Sequence, residues 1–298
     1  MLWIPASLGA ATAQLVRNAL QSALTPRIGT LGATMVRFLF ALPFALLAYG
    51  AAVWIVHEPV PGMPARLVEW ALAGAVTQIA ATALMLKAMD MRGFAVAYAY
   101  IKTEPVLLAL GGWLLLGDVL PLGAWIGILI ATAGVVWAAL PNGQGFAALR
   151  GEAGPVALGV FGGALFGLSS LAFRAAILTL HGTPPWMASL HVMVFGLTVQ
   201  TALMLAWLGM ADRGAIKAVF VAWRPSLAAG FAGMLATLMW FIGFALTPAA
   251  NVRTLALIEM PVAALLNRRV SGKHLGLRQW SGMVLIALGI AVLMRAVV

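Results

Sequence analysis

The stretch Lys102–Leu140, KTEPVLLALGGWLLLGDVLPLGAWIGILIATAGVVWAAL, occurs twice in outline. A shift of 155 positions, without a gap, lays Glu104 on Glu259, Gly117 on Gly272, Trp125 on Trp280, Gly127 on Gly282 and Gly134 on Gly289. Upstream the same shift lays Leu72-Ala73 on Leu227-Ala228, Ala81-Thr82 on Ala236-Thr237 and Ala95 on Ala250. So long a period exceeds a solenoid unit and fits two homologous halves of one integral fold. Each copy reads as an apolar helix opened by Glu and Pro, a turn at Gly, and a second apolar helix.

Composition names the solvent. With 63% hydrophobic and 9% charged residues and a mean hydropathy of +1.02, the chain has too little polar surface to cover a water-soluble globule. The formal charge of +10 does not point to nucleic acid, because the basic residues stand singly or in short clusters between apolar runs. Cysteine is absent, which removes disulfides and thiolate metal sites.

At about 20 residues per crossing, helices are expected at 2–24, 30–55, 67–89, 94–116, 120–140, 154–180, 184–209, 225–246, 249–267 and 275–297. Turn signals mark the borders: Thr25-Pro26, Pro59 to Pro64, Arg92-Gly93, Gly117-Asp118, Pro141-Asn142-Gly143, Pro184-Pro185, Thr247-Pro248 and Ser271-Gly272. The expected fold is therefore an all-α integral membrane protein of ten transmembrane helices, with repeats over 1–145 and 146–298. Five helices is an odd number, so the second repeat enters the membrane from the opposite side and the repeats are inverted.

These residues resemble a known family. Glu104-Pro105 at the start of helix four, the Gly117-Asp118 turn, Trp125 to Gly127 with Gly134 beyond, and Arg37 in VRFLFALPFALL look like the EamA branch of the drug/metabolite transporter superfamily. The resemblance spans the chain, with two departures: Glu259-Met260-Pro261 replaces Glu-Pro, and Lys273 stands where the family usually has an acid. It implies a polytopic carrier of small metabolites, usually a bacterial exporter in the inner membrane, with a central cavity between the halves.

Ionisable residues inside apolar spans are the next signal: Arg17, Arg37, Lys102, Glu104, Arg174, His191, Arg253 and Glu259. A charge at the bilayer centre costs about 2.5–3.5 kcal/mol even on insertion scales, so such groups face a polar cavity or a partner. Lys102, His191 and Arg253 can instead snorkel to the headgroups, and Arg37 can serve as an intramolecular anchor or a substrate contact. Glu104 and Glu259 occupy equivalent positions before Pro105 and Pro261, where a carboxylate can hold a kink, carry a proton, or pair with a base such as Lys102 or Arg253. Trp240, with Phe241 beside it and Thr237 one turn earlier, is the candidate aromatic contact. The expected binding or gating set is thus Arg17, Arg37, Glu104, Arg174, His191, Thr237, Trp240, Arg253 and Glu259.

Glycines at 123 and 127, and at 159, 163 and 167, read as helix-packing positions, and Gly127/Gly134 with Gly282/Gly289 as facing surfaces of helices five and ten. Trp3, Trp54, Trp70, Trp137, Trp186, Trp207 and Trp223 read as an interfacial belt. No metal-ligand spacing joins His57, His181, His191 and His274, and no hydrolase or phosphate-loop motif is present. No cofactor is expected. The expected partners are the bilayer, a small-molecule substrate and a coupling proton or other ion, with the chain a monomer or weak homodimer and no nucleic acid.

Because buried bases outnumber buried acids, the expected substrate is an amino-acid-like or organic-acid compound. Alternatives are a multidrug exporter, or a flippase or membrane enzyme acting on a lipid-linked phosphate. Loops after odd-numbered helices carry eleven Lys and Arg against two, Arg66 and Arg295, on the other side; this bias places both termini outside. The family resemblance implies termini inside.

Overall fold

The computed structural model describes residues 1–92, 101–139, 153–262 and 276–298. All regular structure among them is helical. In order the helices are α1 (Trp3–Leu39), α2 (Leu42–Trp54), α3 (Ala65–Arg92), α4 (Glu104–Gly111, running on as a π turn Gly112–Leu116), α5 (Leu122–Ala139) and α6 (Ala153–Leu178). There follow α7 (Pro185–Ala211), α8 (Arg213–Val221), α9 (Trp223–Leu246), α10 (Ala249–Leu255, tightening to 3-10 at Ala256–Ile258) and α11 (Leu277–Val297). Among the described residues six stretches are long and apolar enough to cross a membrane: Trp3–Trp54, Ala65–Met91, Ala157–Leu178, Pro185–Ala211, Trp223–Leu246 and Leu277–Val297. Pro141-Asn142-Gly143, Ser271-Gly272, Lys273 and the bases Arg150, Arg268 and Arg269 lie outside the described residues.

Trp3–Trp54 has 52 residues, more than twice one crossing, and folds back on itself. The reversal sits at Gly29, whose φ of 73° suits a residue without Cβ, three residues after Pro26. The Gln21 side chain then donates to the Ala33 carbonyl at 2.8 Å; along a straight helix those residues stand about 18 Å apart. A second break, not foreseen from sequence, falls at Phe40–Ala41 just before Pro43. Another helix replaces an expected loop: Asp212 caps α8 by accepting from the Ala215 amide at 3.0 Å.

Burial is inverted relative to a soluble protein. Arg17 is 1% exposed while Leu47 is 71% exposed, so large apolar side chains face outward while a set of charged ones lies inside. Trp3, expected in an interfacial belt, is instead buried. It sits a turn from Ser7, whose hydroxyl donates to the Trp3 carbonyl, on the face of α1 that packs against α9.

Three helix pairs dominate the packing: α1 with α9, α3 with α6, and α5 with α11. In the last, Gly134 meets Gly282 and Gly127 meets Gly289, so residue numbers rise along one helix as they fall along the other and the pair is antiparallel. This contact is backbone on backbone, as the glycine spacing predicts. A Cβ added to Gly289 would stand 2.4 Å from the Ala131 nitrogen and 2.6 Å from the Gly127 oxygen. Gly289→Val is therefore expected to destabilise the protein by about 1–3 kcal/mol or more through overpacking, read as a lowered melting temperature in detergent. An unchanged melting temperature would contradict the tight α5–α11 contact.

Candidate functional site

The two glutamates stand where two helices are interrupted. Lys102-Thr103 form a turn immediately before α4, which then starts with Glu104 and Pro105. In the second copy the 3-10 segment Ala256–Ile258 precedes Glu259, and the shift of 155 positions lays 102–103 on 257–258. Proline is tolerated at a helix start because its missing N–H has no intrahelical partner to lose. The helix N-terminus also favours the carboxylate.

From these breaks the side chains cross. Lys102 Nζ pairs with Glu259 at 2.5 Å and Arg253 Nη1 with Glu104 at 3.3 Å, so the segment that holds each glutamate supplies the cation for the other. Both pairs are buried. Arg253 also donates from Nη2 to the Ser170 hydroxyl at 3.1 Å, and its guanidinium lies 4.1 Å from the centre of the Trp240 ring. Trp240 in turn donates from Nε1 to the Gln14 side-chain oxygen at 3.0 Å. Arg17 donates from Nε and Nη2 to Asn18 Oδ1 at 3.1 and 2.7 Å.

Gln14, Arg17, Asn18, Lys102, Glu104 and Arg253 surround a cavity of about 10 Å³, closed on its apolar sides by Met85, Ile101 and Phe166. That is room for about one water. Arg37 stands beside it, with its guanidinium 5.4 Å from the Phe166 ring centre and Nη1 donating to the Thr82 hydroxyl at 2.8 Å.

Six of the nine expected residues thus gather in one cluster: Arg17, Arg37, Glu104, Trp240, Arg253 and Glu259. Thr237 lies one turn from Trp240 but its hydroxyl donates to the Gly233 carbonyl of its own helix. Arg174 and His191 lie elsewhere, where α6 ends and α7 begins. Arg174 grips Asp118 through Nη2 at 2.7 Å and Nε at 3.3 Å, and donates from Nη1 to the carbonyls of Phe244 and Thr247 at the end of α9. His191 contacts the Tyr49 hydroxyl through Nδ1 at 2.8 Å and the Met63 sulfur through Nε2 at 3.0 Å. Asn18 and Ser170 were not foreseen; a polar amide and a hydroxyl within apolar spans are the available signals.

Residues 2–140 match the model of the EamA-like transporter family. Over that segment the chain is similar to the EamA-like transporters. The family is part of the drug/metabolite transporter superfamily, as the sequence resemblance implied. No curated protein matches the chain. A solved crystal structure is similar over 97% of this chain and 98% of its own, with a TM-score of 0.68 and 20% identity, a likeness of fold. The match to a family of transporters accompanies six stretches, among the described residues, that are long and apolar enough to cross a membrane.

Proposed function

We propose that the protein is a secondary-active carrier that exports a small anionic or zwitterionic metabolite, amino-acid-like or organic-acid, across the bacterial inner membrane by alternating access. Its architecture in this reading is ten transmembrane helices in two inverted repeats, 1–145 and 146–298. The packing supports it: exchanging the halves carries the α1–α9 pair onto the α6–α3 pair and returns α5–α11 to itself, antiparallel as inversion requires.

The crossed ion pairs around a water-sized cavity carry the proposal. Interrupted helices with a polar site between repeats are a recurring carrier arrangement. A cavity of about 10 Å³ admits no metabolite, so passage in this reading requires it to widen toward each face in turn. Glu104 and Glu259 are the groups suited to accept a coupling proton, in a step of the cycle separate from substrate binding. The chain acts as a monomer or weak homodimer.

The test is a melting-temperature screen of metabolites on purified protein, where a ligand of the native state raises the midpoint by mass action, followed by counterflow in vesicles. Saturable exchange of the bound compound supports a carrier. Non-saturating flux indicates a channel, and chemical turnover in detergent indicates an enzyme.

Orientation is a separate prediction. The eleven-to-two bias of Lys and Arg places both termini outside. Basic residues held near an anionic inner leaflet each gain about 1 kcal/mol. A phosphatase fused after Val298 is expected to be active in the periplasm and a fluorophore there to be dark. The reverse pattern would show that the bias does not set the topology.

A further inference from the structure

We infer that the ligand of the central cluster is a small dianion. The inference rests on the carrier reading and narrows its anionic or zwitterionic class to doubly charged oxyanions. Four cations meet in the cluster: Arg17, Arg37, Lys102 and Arg253, all buried. The chain has eight acidic residues, so the balancing anions can be identified one by one.

Glu104 and Glu259 are in the cluster. Asp118 is committed to Arg174, Asp90 lies at the surface beside Lys87, and Asp212 caps α8. Glu58 lies in the loop after α2, and Glu69 is exposed in the first turns of α3. Glu152 lies outside the described residues; its neighbour Ala153 begins α6, about 20 Å along the helix axis from Phe166 at the cavity. The formal count is four positive against two negative, whichever group pairs with which. Hydrogen bonds to Asn18, Thr82 and Ser170 leave it unchanged, because those partners are neutral.

An uncompensated charge in a low-dielectric interior is costly, and the cost is relieved when the ligand brings the missing charge. A dianion neutralises the cluster. A monoanion leaves one positive charge, and a zwitterion leaves two. The carboxylates of Glu259 and Glu104 already engage Lys102 and Arg253, while Arg17 and Arg37 approach from the two arms of α1 on either side of Gly29. The Arg37 guanidinium lies 5.4 Å from the centre of the Phe166 ring, which itself lines the cavity.

The test uses purified full-length protein at pH 8 and fixed ionic strength, with matched probes measured by calorimetry and melting temperature. Succinate is compared with its monoamide, methyl phosphate with dimethyl phosphate, and glycine serves as the zwitterion. At that pH the phosphate monoester is doubly charged, its second ionisation lying near pH ~6. In at least one pair the dianion is expected to bind about tenfold or more tightly than its singly charged mate, a decade being about 1.4 kcal/mol. The pair with the larger gap identifies carboxylate or phosphate.

Arg37→Gln should bring that ratio to about one and Arg37→Lys should keep it. The wild-type ratio decides the matter if the first variant does not fold. Equal binding of the mates, or preference for glycine or a monoanion, overturns the dianion and leaves the carrier reading standing. Binding of tetraethylammonium, uncontested by any anion, overturns both.

Discussion

Arg253→Gln is expected to abolish transport and to destabilise the protein by about 3–5 kcal/mol, the usual cost of removing one partner from a buried pair. The variant breaks the ion pair with Glu104, removes the charge stacked on Trp240, and breaks the bond to Ser170. The double variant Glu104→Gln/Arg253→Gln removes both charges, so it is expected to regain most of the lost melting temperature while remaining inactive in vesicle uptake. That split distinguishes a pair needed only for folding from one needed for transport. Equal melting temperatures for the single and double variants would show that the two charges are not coupled.

Arg174→Gln is expected to have a comparable effect for a different reason. Its guanidinium ties three elements together: the turn after Gly117, helix α6, and the last carbonyls of α9 at Phe244 and Thr247. Those carbonyls have no intrahelical donor, and a cation at a helix C-terminus is favourable. Removing it strands the Asp118 carboxylate and should cost about 3–5 kcal/mol. Arg174→Lys is expected to rescue little, because an ammonium lacks the planar fork that serves a carboxylate and two carbonyls at once. Asp118→Asn keeps an acceptor and should be the mildest of the three. Melting temperatures check the order, and a full rescue by lysine would contradict it.

Much of this was legible because bilayer physics imposes strong local rules. Pro26, the Pro184-Pro185 pair and Thr247-Pro248 marked turns at or near the observed ends of α1's first arm, α6 and α9. The Gly127/Gly134 and Gly282/Gly289 faces were readable because only small residues permit such backbone contact. Buried charge singled out the cluster for the same reason, since each ion inside an apolar span needs a polar neighbour.

Long-range choices were not legible. Lys102 and Arg253 were both candidate partners for the glutamates, but the crossed assignment depends on how the halves dock. Asp118 read as a turn residue, and its bond to Arg174 joins positions 56 residues apart. Helix α8 falls between the expected helices 184–209 and 225–246, although Asp212 followed by Ile216, Val219 and Phe220 is a cap and a one-sided apolar stripe. At nine residues it is shorter than a spanning helix, so crossing length does not reveal it.

In the carrier reading the small central cavity opens alternately to the two faces of the membrane. The chain has no native cysteine, so a single one can be introduced and tracked. Met85 lines the cavity and is 1% exposed, outside the ion-pair network. Met85→Cys in oriented vesicles, exposed to a membrane-impermeant thiol reagent on one side at a time, is the most direct measurement. Slow modification from each side, suppressed when a bound substrate holds the cavity closed, is the predicted result. Modification from one side alone, however long the exposure, would contradict alternating access.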